Sequence, residues 1–176
     1  NVTDVAIEDN TFGEAPFNDW MYAGGVTTDN NTWIVGGSTG YTTPNQAINH
    51  ARDGDTILVT PGTYTNPADP DVFINKSVDL TCEYGAIIEG TGNGTGIRIQ
   101  ADNVTVSGCS ITDFLYGIIV SSNVANPDTI RVQNSRIYDN ASLGIRNDST
   151  LGGNVDARGN WWGSPTGPND TQAGDG

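Results

Sequence analysis

Two cysteines are the first residues whose spacing suggests chemistry. Cys82 and Cys109 are the only cysteines of the chain. In an oxidising compartment such a pair can form a disulfide if the two Cβ atoms face each other. We favour that bridge over the alternative, in which both are small buried hydrophobic side chains. Two thiols without a neighbouring histidine do not indicate a metal site.

Two aspartates form a second candidate site. Asp113 and Asp139 each stand at the end of a similar short segment, Ile-Thr-Asp in one case and Ile-Tyr-Asp in the other. Because facing carboxylates repel unless a cation lies between them, the pair is a candidate Ca²⁺ or Na⁺ site. The alternative is that aspartate is present for its ability to form turns.

Two adjacent tryptophans, Trp161 and Trp162, are the most conspicuous aromatic pair. Neighbouring strand residues point to opposite sides, so one indole should plug the end of a core. The other should face solvent, where it could stack on a sugar ring. We favour the end-cap role, because Gly163 and Pro165 indicate a chain that leaves the fold. His50 lacks a nearby Ser or Cys nucleophile motif and is interpreted as a cap or surface residue.

Composition restricts the partners. The 176 residues contain 7 Lys and Arg against 21 Asp and Glu, for a net charge of −14. This charge excludes nucleic acid as an expected partner and disfavours anionic membranes. No apolar run approaches the ~20 residues of a membrane span, so no membrane insertion is predicted. An acidic chain with one lysine suggests a salt-adapted source, and an ordinary acidic secreted protein is the alternative.

N-glycosylation acceptor triplets, Asn-X-Ser/Thr, occur eight times. They begin at Asn1, Asn30, Asn75, Asn93, Asn103, Asn140, Asn147 and Asn169. Together with a start that has neither Met nor a signal sequence, they predict a processed or excised segment of a secreted or cell-surface protein. A chain rich in Asn and Thr also produces such triplets by chance.

A repeat of about 26 residues must position these side chains. Val78, Val104 and Ile130 recur at that step, Val155 follows almost one step later, and Leu80, Val106 and Val132 repeat beside them. Apolar residues alternate with polar ones within each segment, and Gly, Asn and Asp separate the segments. A coil of parallel strands requires such a register because each turn stacks on the one before. The sequence therefore predicts an all-β, right-handed parallel β-helix (solenoid) of about four turns.

A short helix is predicted over residues 43–51, with Thr43 as its N-cap, Pro44 at its first position and Gly54 ending it. It would cover the exposed first edge of the coil. The predicted organisation is an N-terminal strand and aromatic-rich segment (1–40), the β-helix domain (41–168) and a flexible tail (169–176).

The first ten residues resemble an isolated coil strand. We expect the strand that contains Val2, Val5 and Ile7 either to pair with the open edge of another copy or to lie on its own body. Copies of the chain, joined by strand exchange or end-to-end stacking, are therefore the expected partners.

Residues 41–64 resemble the entry segment of right-handed parallel β-helix proteins of the pectin-lyase-like superfamily. The segments "NVTVSGCSITDFLYGI" and "IRVQNSRIYDNASLGI" resemble its coil repeats. The closing "NVDARGNWWGSPTGP" is similar to an end motif of secreted bacterial and archaeal members, and a haloarchaeal surface protein is the source we expect. The resemblance implies the fold and leaves the function open.

Enzymes of this superfamily bind calcium through clustered acids or use several aspartates, with an arginine as base in the lyases. No such motif is visible here, and we predict a non-enzymatic extracellular structural protein, a self-assembling filament or cell-surface module. No cofactor is firmly expected, and Ca²⁺ is the one candidate. One alternative is a carbohydrate-binding adhesin or viral receptor-binding spike that uses Trp20, Tyr22, Trp33 and one of the paired tryptophans. The other is a calcium-dependent polysaccharide lyase or hydrolase.

Overall fold

The computed structural model describes residues 5–8, 11–12, 26–38, 40–65 and 72–167. Within that part of the chain the elements are parallel β-strands and one α-helix, α1, which lies between β4 and β5 in the sequence. Their bounds are β1 (Val5–Glu8), β2 (Thr11–Phe12), β3 (Val26–Asp29), β4 (Thr32–Val35), α1 (Pro44–His50), β5 (Thr56–Val59), β6 (Gly62–Tyr64), β7 (Val72–Ile74), β8 (Asp79–Cys82), β9 (Ala86–Glu89), β10 (Thr95–Ile99), β11 (Thr105–Ser107), β12 (Ser110–Thr112), β13 (Tyr116–Val120), β14 (Arg131–Gln133), β15 (Arg136–Tyr138) and β16 (Leu143–Asn147).

Apart from β1 and β3, which form a separate two-stranded sheet, the strands form three stacked parallel sheets. The first sheet has the order β14-β11-β8-β5-β4-β2, the second β15-β12-β9-β6 and the third β16-β13-β10-β7. Each complete turn of the chain adds one strand to every sheet, which is the definition of a parallel β-solenoid. The predicted fold class is confirmed. The coil has about five turns rather than the predicted four, because partial turns precede β5 and follow β16.

The inward columns hold the fold together. Leu80 pairs with Val106 and Val106 with Val132, and all three side chains are fully buried. The column continues in the other direction through Ile57 to Trp33. Burying each aliphatic side chain stabilises the fold by about 1.5–3 kcal/mol before conformational entropy is counted. The predicted register of the coil is therefore confirmed.

The N-cap of α1 and the contact of this helix with the coil are those that the sequence predicts. The Thr43 hydroxyl accepts the Gln46 backbone N–H, the Gln46 side chain accepts the Thr43 backbone N–H, and Pro44 takes the first helical position. The Asn45 side-chain amide oxygen accepts the Phe73 backbone N–H of β7, the edge strand of the third sheet. The helix thus covers a sheet edge. It ends at His50, before the predicted stop at Gly54, because Ala51 is already extended.

Of the strands that precede the helix, β2 and β4 belong to the first sheet, while β1 and β3 form a separate pair. β1 pairs in parallel with β3, with Val5 beside Val26 and Ile7 beside Thr28. β2 pairs with β4, which itself pairs with β5. The first sheet therefore runs past the helix, whereas β1 pairs with a strand of its own chain. Val2 and the tail 169–176 lie outside the described residues.

Candidate functional site at the C-terminal end of the coil

The disulfide joins adjacent turns. Cys82 and Cys109 are bonded, with their Cα atoms 4.8 Å apart, which confirms the predicted bridge. Their spacing exceeds the repeat slightly because Gly108, not Cys109, lies opposite Cys82. Gly108 has a φ of +72°, and a Cβ there would collide with the Cys82 carbonyl oxygen. This glycine lets the chain turn so that both cysteines face the core.

The two aspartates lie at equivalent turn positions. Asp113 follows β12 and Asp139 follows β15, both with exposed side chains and left-handed backbone (φ 61° and 54°). Asp is one of the few side chains that adopt this conformation readily. The Thr112 hydroxyl donates to the Asp113 carboxylate at 3.1 Å. Among the described residues no group of three or more His, Cys, Asp or Glu is placed to hold a metal. Their backbone role is visible, and Ca²⁺ binding stays a prediction.

The paired tryptophans point to opposite sides. Trp162 packs against the core, close enough to Gly144 that a Cβ there would lie 3.0 Å from the indole. It continues the column of Ile111 and Ile137 and covers its end. Trp161 is 40% exposed on the outer face of the second sheet.

An arginine lies over two aromatic rings on that face. The Arg136 guanidinium carbon is 4.8 Å from the centre of the Trp161 ring and 5.7 Å from that of Tyr138. The two rings meet edge to face, with centres 5.6 Å apart. Such cation–π contacts each contribute about 0.5–1 kcal/mol at exposed positions. The sequence contains a signal for this cluster, because the coil period of about 26 residues places Ser110, Arg136 and Trp161 at equivalent positions on successive turns.

Further arginines concentrate in the last turn. Arg146 lies 5.2 Å from the Tyr116 ring centre and forms an ion pair with Asp148. Arg158 binds Asp156 through two hydrogen bonds of 2.8 Å. These hydrogen bonds lower the pKa of the Asp156 carboxyl from 3.8 to about 2. The end of the coil therefore carries cationic side chains that are held in place by rings and carboxylates.

The strands of the last turn are only partly covered. Beyond β14 and β15, single bridges at Asp156 and Trp161 continue the ladders. Beyond β16, the described residues contain no further strand. The apolar side chains of Ile145 and Val155 are half-buried here, unlike their buried equivalents in earlier turns, and Leu151 is 69% exposed.

The opposite region of the coil holds a buried polar cluster that the sequence did not reveal. Asp55 is fully buried; one carboxylate oxygen accepts the Asn31 backbone N–H at 2.8 Å. The other accepts the Trp33 indole N–H at 2.8 Å and the Arg52 backbone N–H at 2.9 Å. Trp33 is 1% exposed, so its predicted place in an outward aromatic strip is wrong; it points inward in register with Ile57. Trp20 and Tyr22 lie outside the described residues.

The only lysine of the chain contacts the end of α1, and the only histidine is the last residue of that helix. The Lys76 ammonium donates to the carbonyl oxygens of Ile48, Asn49 and Ala51 at 2.6–3.0 Å. Burial lowers the pKa of Lys76, and the nearby carboxylates of Asp53 and Asp55 oppose that shift. The His50 ring stacks on Tyr41 and Trp33, in the cap position that the sequence indicates.

The glycosylation triplets fall into two groups. Five have exposed asparagines: Asn30, Asn75, Asn93, Asn103 and Asn147. Asn140 is half-buried; its amide oxygen accepts the Phe114 backbone N–H and its amide nitrogen donates to the Ile111 carbonyl oxygen. Asn1 and Asn169 lie outside the described residues.

In the described part of the chain, no helix is long and apolar enough to cross a membrane. The sequence matches no protein-family model, no curated protein and no solved structure.

Proposed function

We propose that this chain is a non-enzymatic extracellular structural module whose coil stacks end to end with copies of itself. The observation that carries the proposal is the uncovered edge of β14, β15 and β16 among the described residues. There β16 has no outer neighbour among the described residues, and β14 and β15 are each continued by one bridge. A sheet edge presents N–H and C=O groups that can pair with another chain. A solenoid can extend by stacking because each turn contacts only its neighbours.

Apolar exposure at the same end supports the contact. Ile145 and Val155 retain exposed surface, whereas Ile118 and Ile130, one turn earlier in the same columns, are fully buried. Leu151 lies 69% exposed in the loop that follows β16. A further turn stacked on this end would bury these side chains as each earlier turn buries the one before it.

Charge at the C-terminal end does not oppose the contact. Of the seven Lys and Arg residues, four lie in the last turn and the segment that follows it: Arg131, Arg136, Arg146 and Arg158. Within residues 127–167 they balance the four carboxylates of Asp128, Asp139, Asp148 and Asp156, whereas the whole chain carries a net charge of −14. A contact made by this end therefore brings less repulsion between acidic copies than a contact made by the chain as a whole would. Contact between unlike ends is heterologous and generates filaments when the rotation does not close a ring.

The extracellular location rests on the disulfide between Cys82 and Cys109, which suits an oxidising compartment. We also propose a salt-adapted archaeal source for the chain and a relationship to the pectin-lyase-like superfamily. They rest on the net charge of −14 with a single lysine and on the similarity of the coil repeats. At high salt, screening would weaken the repulsion between acidic copies.

Strand exchange is the less favoured form of assembly. β1 already pairs with β3 of its own chain, so Val5 and Ile7 need no partner copy to complete a ladder. Removal of residues 1–12 should leave a folded chain with an intact C-terminal end. We expect that shortened chain to retain the contact surface of β14–β16.

The test is a charge reversal at the C-terminal end. The double variant Arg131→Glu with Arg136→Glu reverses two exposed arginines, and Arg98→Glu is the matched reversal in the middle of the coil. Sedimentation velocity and negative-stain electron microscopy should show filaments for the wild-type chain and for Arg98→Glu. The double variant should associate at least about tenfold more weakly, since opposed close charges are worth more than about 1.4 kcal/mol. Filaments of equal strength, or a monomeric wild-type chain, would contradict the proposal, provided that circular dichroism shows both variants folded.

Carbohydrate recognition is the second candidate, and the exposed Trp161 ring beside Arg136 and Tyr138 favours it. Sugars stack on such rings while an arginine donates hydrogen bonds. On a glycan array Trp161→Ala should abolish binding and Tyr84→Ala, which removes a 94% exposed ring elsewhere, should not. Binding that survives Trp161→Ala would exclude this surface.

A further inference from the structure

The turns that join the third sheet to the first stack into one corner of the solenoid. We call residues 75–78, 100–104, 121–130 and 148–155 the third-to-first corner. Residues 30–31, which join β3 of the separate two-stranded sheet to β4, lie beside this corner, because the Asn30 side chain is near Gly54 and the Gly54 N–H donates to the Ser77 carbonyl oxygen. Three exposed glycosylation triplets begin here, at Asn30, Asn75 and Asn103. In the sequence the interval from Asn30 to Asn75 is much longer than that from Asn75 to Asn103. Because the first interval is not a multiple of the coil repeat, only the fold brings Asn30 onto the same corner as the other two triplets.

The corner is held together without these three amides. The Gly54 N–H donates to the Ser77 carbonyl oxygen, and the Ser77 hydroxyl donates to the Asp102 carbonyl oxygen at 2.7 Å. One turn on, the Asn103 backbone N–H donates to the Thr129 hydroxyl. No side-chain hydrogen bond of Asn30, Asn75 or Asn103 is present within the described residues. Their amide groups are therefore available to solvent.

The two triplets of the last turn differ. Both amide atoms of Asn140 are bonded to the backbone of the preceding turn. The Asn147 amide oxygen accepts the Ser149 N–H at 3.1 Å, and its nitrogen donates to the Gly153 carbonyl oxygen at 3.4 Å. A glycan on either nitrogen would displace contacts that shape the end of the coil.

We propose that N-linked glycans occupy Asn30, Asn75 and Asn103 along the third-to-first corner, and Asn93 on the neighbouring corner, and that Asn140 and Asn147 remain unmodified. This inference rests on the proposed extracellular function and deepens it, because it leaves the stacking end of the coil free of sugar. Bulky glycans on the body would then restrict lateral contacts without blocking axial ones.

The modification requires a lipid-linked oligosaccharide donor, the usual co-reactant of protein N-glycosylation. The asparagine Nδ2 atom attacks the anomeric carbon, so that an N–C bond forms and the C–O bond to the lipid phosphate breaks. The lipid phosphate leaves with the bonding electron pair, and Nδ2 loses one proton. The product amide keeps a single N–H, which suits a solvent-facing side chain.

The test is site occupancy in chain secreted by a cell line that performs N-glycosylation. Peptide N-glycosidase release in ¹⁸O-water marks each occupied asparagine by mass. Glycan on Asn30, Asn75, Asn93 and Asn103, with Asn140 and Asn147 empty, is the expected result. Glycan on Asn140 or Asn147 in folded secreted chain, or empty Asn75 and Asn103, would overturn the inference.

Thermal unfolding of unglycosylated variants separates a structural role from a modification site. Asn75→Gln and Asn103→Gln should leave Tm within about 1 °C of the wild type, whereas Asn140→Gln should lower it by about 2–8 °C. Equal shifts for all three would also overturn the inference. Failure of filament formation would leave these readouts unchanged, so the two proposals fail separately.

Discussion

The helix region and the closing segment complete the coil in different ways. In the helix region, α1 together with Asp55 and Lys76, each polar group of the network is bonded within the chain, and Asp55 has no exposed surface. In the closing segment, residues 148–167, the ion pair of Asp156 and Arg158 lies at the surface, and single bridges replace strands. The helix region is closed around the buried Asp55 carboxylate. The closing segment leaves strand edges that a further turn could cover.

The two regions differ in how easily their side chains can exchange contacts. A buried carboxylate is costly unless N–H donors surround it, and the helix region supplies three. Among the described residues of the closing segment, no charged side chain is buried in this way. Its side chains can therefore exchange their contacts for contacts with a partner at low cost. The difference suits a module that is fixed at one region and receptive at the other.

Removal of the buried carboxylate should have the largest effect. Asp55→Ala leaves the Asn31 N–H, the Trp33 indole N–H and the Arg52 N–H without their acceptor. We expect the free energy of unfolding to fall by about 3–5 kcal/mol. Urea denaturation followed by circular dichroism measures this loss. Asp156→Ala, at the exposed pair, is the control and should change little. A similar loss for both variants would remove the contrast between the regions.

The two tryptophans of the closing segment should separate packing from contact. Trp162→Ala opens a cavity over Gly144 and Ile137 and should cost about 2–3 kcal/mol, less than for a fully buried indole. Trp161→Ala should cost under about 1 kcal/mol, since its ring is largely a surface platform. Denaturation measures both. The reverse order would mean that the outer face, not the core plug, closes the coil.

Loss of the lysine should have an intermediate effect confined to the helix. Lys76→Met removes three hydrogen bonds to carbonyl oxygens at the end of α1 and should cost about 1–3 kcal/mol. Lys76→Arg, which keeps charge and donors, should recover part of the loss. Amide exchange of α1 should quicken in Lys76→Met while that of β11–β13 stays unchanged. Uniform quickening would show that the lysine does not act through the helix.

The smallest effect concerns pH. Because the pKa of Asp156 is lowered to about 2 when folded, its contribution is complete above 3.8 and is lost as pH falls from about 4 to about 2. NMR titration of the Asp156 carboxyl should find the lowered value. Arg158→Gln should return it toward 3.8, and Arg146→Gln, which lacks contact with Asp156, should not. An unshifted Asp156 would show that the surface pair does not persist in solution.

The sequence predicts the coil better than its ends. Leu80, Val106 and Val132 are spaced regularly because the long turn 121–130 before β14 offsets the shorter turns and strands earlier in the same winding. The step from Ile57 to Leu80 is shorter than the one from Leu80 to Val106, so the repeat does not reveal that Asp55 occupies the position equivalent to Val78. The inward place of Trp33 escapes the sequence because a strand's inward side cannot be assigned without its partner's register.

The candidate site is predictable in part for a related reason. Period and compartment together indicate the disulfide, and strand alternation indicates opposite roles for Trp161 and Trp162. The glycosylation corner cannot be predicted, since turn lengths that differ widely hide its alignment. The bonded state of Asn140 depends on the backbone of the preceding turn, which no local motif encodes.

Native-state hydrogen exchange of wild-type chain tests the central contrast most directly. When the protein is kept below the concentration at which it assembles, the backbone amides of β5, β8 and β11 should exchange only through global unfolding. Those of β16 should exchange at least about a hundredfold faster, and should become protected when the chain assembles. Equal protection of β16 and β8 in the monomer would contradict the proposal that the edge of β16 is open to a partner.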